Sequence, residues 1–445
     1  MDNIHKLETE SIGKLLLQYA LPAVITQVVA SVYNIVDRVF LGQYVGALAI
    51  AGLAITMPVM NIIHALGSLV GVGASSRMSI VLGRKDVRWA EKILGNSILL
   101  TFFFGALFVS GGYLFMDRIL QLFGASQDTI GYAREYMMIV LPGMFFTTMT
   151  FNLTGLIRAS GYPTKSMWIM AGGAVLNIFL DALFIMVLGW GITGAAWATT
   201  ISMFSTAVVA VAHFISPKSF IRYKRHAWAP KLYIFRNVLL IGLSPFLMNF
   251  AASFVVALLN RQLIRYGGDL AVGAYGIVNT YASFLVMFIL GLCQGMQPIA
   301  GYNYGARNME RVKHVLRLTI TASVVAMTVG WVIGELLPGP CTRLFTDDQN
   351  LIDISVRGIR INMLVFPVIG YQAVVTNFFQ TIGKVRISIF MSLSRQLLFL
   401  LPMLLVFSSI WGLDGVWFSL PASDFVAFLV AVVIMQRFKR QQATA

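Results

Sequence analysis

The chain has 445 residues, of which 58% are hydrophobic and only 11% charged; its mean hydropathy is +0.78. Uncharged runs such as Phe40–Ser76, Gly95–Met116 and Ala182–Pro217 exceed what a soluble core tolerates, which excludes a soluble globular protein. The formal net charge of +15 is spread along the chain rather than gathered on one folded face, which excludes a nucleic-acid binder, and two cysteines, Cys293 and Cys341, exclude a disulfide framework or a cysteine metal site.

The beginning, "MDNIHKLETESIG", lacks a basic region followed by a short apolar core and a small-residue cleavage site, so the first hydrophobic run is expected to stay in the mature protein. The apolar runs are nearly continuous and carry embedded Gly and Pro, without the period-two alternation of a membrane barrel. Helices are therefore the spanning element, because a backbone in lipid must satisfy its own hydrogen bonds. Breaking the runs at charges, glycines and prolines predicts an all-α polytopic membrane protein with twelve spans, at approximately 13–38, 46–74, 92–116, 131–158, 166–188, 193–215, 236–262, 270–299, 313–335, 355–380, 387–409 and 413–435.

Orientation follows from lysine and arginine. With both termini cytoplasmic, the inner segments hold Arg84, Lys85, Arg88 and Lys92, then Arg158 and Lys165, the basic stretch Lys218–Arg236, Arg307–Arg317, Lys384 with Arg386, and Arg437–Arg440. The outer segments hold only Arg38, Arg118, Arg134, Arg261, Arg265, Arg343, Arg357 and Arg360. The positive-inside bias thus explains most of the net charge, and the expected location is the cytoplasmic (inner) membrane.

The two halves repeat. At an offset of about 222, Leu48 meets Leu270, Gly83 meets Gly305, Leu122–Phe123 meets Leu344–Phe345, and Gly161 meets Gly383. "WGITG" from Trp190 recurs as "WGLDG" from Trp411, and the small-xxx-small pair Gly67/Gly71 answers Gly291/Gly295. The expected organisation is an N-terminal six-helix lobe over 1–215, a cytoplasmic linker over 216–236 and a C-terminal six-helix lobe over 237–445. An even number of helices per repeat relates the lobes by an axis along the membrane normal, an arrangement found in transporters with a cavity between the halves.

These features resemble the multidrug and toxic compound extrusion (MATE) family over the whole chain, through "YNIVDRVFLG", "RASGYPTKS", "LNIFLDALF", "GAAWAT" and "GYNYGARN". The resemblance implies a secondary antiporter that exports amphipathic, often cationic organic compounds in exchange for protons or sodium ions, by rocking two lobes about a central cavity. The same superfamily includes lipid-linked oligosaccharide flippases, so a flippase or metabolite exporter stands as the alternative. In the bacterial and archaeal branch, acidic residues matching Asp37 and Asp181, with asparagine and threonine oxygens beside them, form the cation site of the N-terminal lobe; this chain matches at Asp37, Asn177, Asp181 and Thr199.

The residues themselves lead to the same cluster. Asn177 and Asp181 lie four apart, on one helical face, inside an apolar run. Asp37 aligns with Asn260 in the second repeat, and Asn177 and Asp181 fall opposite the apolar stretch Leu398–Met403, so the acidic group belongs to one lobe only. A carboxylate inside a helix bundle costs at least ~2.5–3.5 kcal/mol, and such residues are retained for function. The oxygens suit either a proton or a small alkali cation, and sequence does not choose between them. The bland reading of Asp181, Asn177 and Thr199 is interhelical hydrogen bonding.

Arg395 and Asp424 fall at similar depth on successive antiparallel spans and are expected to form a structural ion pair, since an unpaired charge there costs more. His64 and His213 read as packing residues, and Pro22 as a candidate hinge in the first helix. Substrate-cavity candidates are Gln27, Tyr33, Met57, Met60, Asn61, Phe145, Met149 and Asn152 in one lobe, and Met248, Asn249, Tyr275, Asn279, Met287, Gln297, Tyr371 and Gln372 in the other. As a set, methionine, aromatic and amide side chains suit a site that re-packs around flat organic molecules. No HExxH-type spacing or His/Cys/Glu constellation supports an enzyme, no cofactor is expected, and the expected partners are small organic substrates and lipid, with the chain acting as a monomer.

Overall fold

The computed structural model describes residues 2–443 other than 46, 124, 126 and 128; residues 2–3, 34, 38–39, 41–43, 47–51, 54 and 442–443 are described by backbone alone. Residues 1, 444 and 445 of the expected lobes and the side chain of Arg38 therefore lie outside the described residues.

No β-strand occurs among the described residues. A short helix α1 (Asp2–Thr9) precedes α2 (Ile12–Tyr44), α3 (Ala47–Gly83) and α4 (Val87–Leu114). The two-turn α5 (Met116–Leu122) leads to α6 (Ile130–Ala159), to α7 (Pro163–Asp181), which continues as a π-helix over Ala182–Val187, and to α8 (Gly191–Ile215). An irregular crossing with a 3-10 turn at Arg225–Trp228 leads to α9 (Leu232–Gly305), α10 (Met309–Leu336), the short α11 (Pro338–Arg343), α12 (Gln349–Met363) and α13 (Phe366–Thr381). Last come α14 (Val385–Leu393), continuing as a π-helix over Ser394–Leu400, and α15 (Leu401–Ala443).

Among the described residues nine helical stretches are long and apolar enough to cross a membrane, and α12 with α13, bent by 54°, make a tenth crossing. Two of the nine are too long for one passage. At ~1.5 Å per residue the 74 residues of α9 would extend about 111 Å, against a hydrocarbon core of ~30 Å. The chain turns back at Gly268, with φ 68° and ψ −166°, and again within α15 at Gly412, with φ 59° and ψ −130°. Only glycine adopts such angles without a steric penalty. Both glycines lie in gaps expected between spans, and splitting there yields twelve crossings in two sets of six.

The repeat is visible in the backbone. Lys85 and Arg307 each adopt φ 61°, and the next residue caps the following helix: Asp86 accepts from the Trp89 amide at 3.0 Å and Asn308 from the Arg311 amide at 3.2 Å. Within the first half α3 packs on α6, α6 on α8, and α2 on α7; within the second, α10 packs on α13 and on α9. The halves meet where α2 and α3 pack on α9.

That meeting is closed at one end by backbone contact. A Cβ on Gly242 would lie 1.7 Å from the Leu69 carbonyl oxygen, and one on Gly73 2.0 Å from that of Val238. Further along, Gly83 approaches Tyr302 and Gly305 approaches Ile80 in the same way. The matched pairs noted in the sequence do different work: Gly67 and Gly71 seat α3 on α6 within the first half, whereas Gly291 and Gly295 seat α9 on Val24 and Ala20 of α2, between the halves. Helix α1 straps the same end. Its Glu8 reaches Lys85 at 3.5 Å and the Tyr302 hydroxyl at 3.4 Å, while Arg311 donates to the carbonyls of Leu7 and Glu10 at 3.2 and 2.6 Å.

The crossing between the halves, expected over 216–236, is docked on α4. Asn96 donates to the carbonyls of Ala227 and Ala229 and accepts from the Lys231 amide at 2.8 Å, and buried Glu91 pairs with Lys224 at 2.8 Å and His226 at 3.0 Å. Its last residues belong to α9, which starts at Leu232.

Candidate functional site

Helix α7 presents Asn177 and Asp181 one turn apart to α2, α6 and α8, and immediately after Asp181 the winding widens into the π-helix Ala182–Val187. Such widened turns interrupt the regular backbone ladder and are frequent at functional positions. Asp181 is fully buried and Asn177 nearly so, at 0% and 4% exposure. The Asn177 amide donates to the Thr199 hydroxyl of α8 at 3.5 Å, a long bond, and its own oxygen receives no donor. Neither carboxylate oxygen of Asp181 receives a donor from the described residues.

The half-buried Asp37 of α2 is close enough to Asp181 for their charges to interact. Tyr136 of α6, buried at 2% exposure, lies beside Thr199 and in electrostatic reach of Asp37, Asp181 and Tyr33. The structure therefore brings together Asp37, Asn177, Asp181 and Thr199, and adds Tyr136, which the sequence reading omitted. A tyrosine on an apolar helix carries no pattern that would have singled it out.

Buried polar atoms are nearly always hydrogen-bonded, and an isolated ionised carboxylate is costly to hold. Three oxygens on neighbouring side chains, Asn177 Oδ1 and both of Asp181, are therefore left needing a proton or a positive charge to satisfy them. All the atoms offered are oxygens, hard donors that suit an alkali ion. Among the described residues no group of three or more His, Cys, Asp or Glu side chains converges, so the site holds two carboxylates and neutral oxygens rather than a transition-metal set.

Next to this cluster a cavity of about 610 Å³ opens between the halves, with Tyr33, Asn177 and Thr199 on one wall and Gln297, Gln372 and Arg395 on the other. Of the cavity candidates, Gln27, Tyr33, Met248, Asn249, Met287, Gln297 and Gln372 line it. Gln297 closes its floor, donating across the halves to Ser76 at 2.6 Å and Ser75 at 3.1 Å, and the Ser31 hydroxyl meets the Met287 sulfur at 2.9 Å.

The other candidates lie outside the lining, which corrects the expectation for them. Asn152 is buried between α4 and α6, donating to Ser97 and Thr101, and Met149 is core. Phe145 joins an aromatic cluster with Phe102 and Phe146. Tyr275 packs on Trp417 and Tyr371 on Phe428. Met60 packs on a separate cluster of the first half, and Met57, Asn61 and Asn279 also fall off the wall. His64, expected to pack, opens onto the cavity; His213 packs beside Ser219, Tyr162 and Phe214.

Arg395 stands at the start of the second π-helix, Ser394–Leu400, and its Nε lies 2.6 Å from Asp424 Oδ1. Helix α2 runs unbroken through Pro22, whose carbonyl accepts from the Thr26 hydroxyl at 2.8 Å.

Among the described residues, twelve membrane crossings in two repeats around an inter-lobe cavity define a multi-pass membrane transporter. The MatE family model matches residues 22–183 and 245–405, once in each half, and the chain belongs to this family. It is 27% identical over 438 residues to the multidrug export protein MepA of Staphylococcus aureus, covering 98% of this chain and 96% of that one. The Staphylococcus saprophyticus protein of the same name is 25% identical over 434 residues. Among solved structures it superposes on a MATE protein in the bent conformation with TM-score 0.94 at 23% identity, covering 100% of this chain and 99% of that one. It also superposes on an outward-facing multidrug resistance MATE transporter of the MOP superfamily, with TM-score 0.92 at 24% identity and 99% of each chain covered.

Proposed function

We propose that the protein is a secondary antiporter that exports amphipathic, cationic organic compounds in exchange for protons or sodium ions, with Asp37, Asn177, Asp181 and Thr199 as the cation site. The observation that carries this reading is Asp181, fully buried with both carboxylate oxygens undonated, one turn from an asparagine that lines the cavity. Membership of the family, and relatives named as multidrug export proteins, support the export of drug-like compounds.

The residues divide the work. Ionised Asp37 and Asp181 attract a cationic substrate into the cavity, and Asn177 and Thr199 offer it neutral oxygens. A proton or alkali ion arriving at the same oxygens neutralises the carboxylates and removes that attraction. Tyr136, beside Thr199, supplies a hydroxyl dipole to the acidic pair. The cavity is closed at the end strapped by α1, the end that the lysine and arginine distribution assigns to the cytoplasm, so alternating access requires the glycine contacts between α3 and α9 to part. Two lobes, 1–215 and 237–445, moving about the docked crossing 216–236 in a cytoplasmic membrane complete the proposal.

The test is reciprocal binding. Raising proton or sodium concentration should weaken the affinity of purified protein for a fluorescent cationic dye, and Asp37→Asn should flatten that dependence, because linkage makes each ligand lower the other's affinity by the same factor. A wild-type affinity indifferent to both ions would reject direct competition.

A further inference from the structure

The cavity's own charge differs from what a purely cationic substrate would select. Among the described residues that line it no Asp, Glu or Lys is present, and the one fixed charge is the guanidinium of Arg395. Asp37 and Asp181 are not among the residues that line it, although Asn177 and Thr199 beside them are.

Arg395 is built into its place. Its Nε is engaged by Asp424, which is 9% exposed at the side chain, while the arginine side chain retains 34% exposure. One of five N–H groups is thereby used, and the remaining four, on Nη1 and Nη2, have no acceptor among the described residues. Asp424 holds the fork from behind through Nε, and Gln380 and Gln396 offer further amide donors elsewhere on the cavity lining. A planar pair of N–H groups held in this way matches the two oxygens of a carboxylate. The two halves also match in construction: each carries a π-helix in its fifth crossing, with the acid Asp181 just before one and the base Arg395 at the beginning of the other. A structural ion pair alone would not require the cation to face the cavity.

We infer that Arg395 forms a subsite for the acidic group of the substrate, so that the cavity selects amphiphiles that carry a carboxylate as well as a cationic centre, with the cation turned toward the α2/α7 wall and the carboxylate toward Arg395. This inference rests on the proposal that the cavity takes organic substrates, and refines it from cations to zwitterions.

The test uses two dyes that differ only at this group: rhodamine B, whose pendant carboxylate is ionised at neutral pH, and its ethyl ester, which keeps the cationic ring system and loses the acid. Binding to purified full-length protein is followed by fluorescence polarisation. A charge-assisted pair makes wild type prefer the acid over the ester by about tenfold or more. In Arg395→Gln the ratio collapses toward one. The double variant Arg395→Gln/Asp424→Asn, which strands no charge, must show the same collapse, and it decides the matter if the single variant fails to fold. Equal affinity of wild type for acid and ester would overturn the subsite while leaving the organic-substrate cavity standing, and so would a preference that survives in the double variant. Failure of wild type to bind either dye would overturn both.

Discussion

Replacing Gly242 by alanine should open the end of the molecule that is closed here. The added Cβ would meet the Leu69 carbonyl oxygen at 1.7 Å and its carbonyl carbon at 2.5 Å. Both are backbone atoms, so no side-chain rotation relieves the clash, and reaching an ordinary contact of ~3.4 Å requires α3 and α9 to separate by about 1.7 Å. Overpacking of this kind costs ~1–3 kcal/mol, incurred only while the two helices touch, which shifts the balance toward the parted state by about 5- to 150-fold. The assay is labelling by a membrane-impermeant maleimide of a cysteine placed at Ser79, which is 1% exposed and sits against Gly301 in this contact, in a background with Cys293 and Cys341 changed to serine. Reagent is supplied from the closed side. Labelling should accelerate at least about fivefold in Gly242→Ala, at the low end of that cost, and not in Gly276→Ala, where a Cβ meets nothing within 4 Å. An unchanged rate in well-expressed Gly242→Ala would refute the view that this glycine contact holds the lobes together.

Three further outcomes follow from the same geometry. Arg395→Ala and Asp424→Ala should each lower thermal stability by more than the double variant implies, with a coupling of about 1–3 kcal/mol in a double-mutant cycle; simple additivity would show that the 2.6 Å contact carries no energy. Tyr136→Phe keeps the buried ring but loses the hydroxyl that lies beside Thr199 and the acidic pair, so cation affinity should fall by about 2- to 10-fold, measured as a shift in the ion concentration that half-displaces bound dye; an unshifted midpoint would remove Tyr136 from the site. Glu91→Gln weakens two charge-assisted contacts that dock the inter-lobe crossing on α4, and because Lys224 and His226 are about half exposed the expected loss is only about 1 kcal/mol, read as a lower Tm in detergent.

Sequence patterns reached different depths in different parts of the molecule. The twelve crossings were legible because hydrocarbon selects uniformly apolar helices, and the gaps between them were placed correctly around Gly268 and Gly412, though not the positive-φ backbone that turns the chain there. Asp181 was legible because a carboxylate stands out against such a background. Cavity residues were half legible: the composition of a wall resembles that of a packed interface, and which face of α6 or α9 meets its neighbour depends on tertiary contacts, as Asn152 between α4 and α6 illustrates. Tyr136, the two π-helices and the strapping role of α1 had no signature, since each depends on a partner far away in the chain. The basic crossing read as a linker is packed through Asn96 and Glu91, and its docking was invisible without α4 beside it.

In the proposed function Asp181 couples ion entry to substrate exit. This coupling is tested most directly in liposomes that contain purified protein and a fluorescent substrate, with inward proton and sodium gradients imposed separately. At least one gradient should drive substrate against its own concentration in wild type, whereas Asp181→Asn, which loses no hydrogen bond present in the structure and should fold with undiminished stability, should let substrate move only downhill. Uphill movement by Asp181→Asn at the wild-type rate, or none by wild type under either gradient, would contradict ion-coupled antiport at this site.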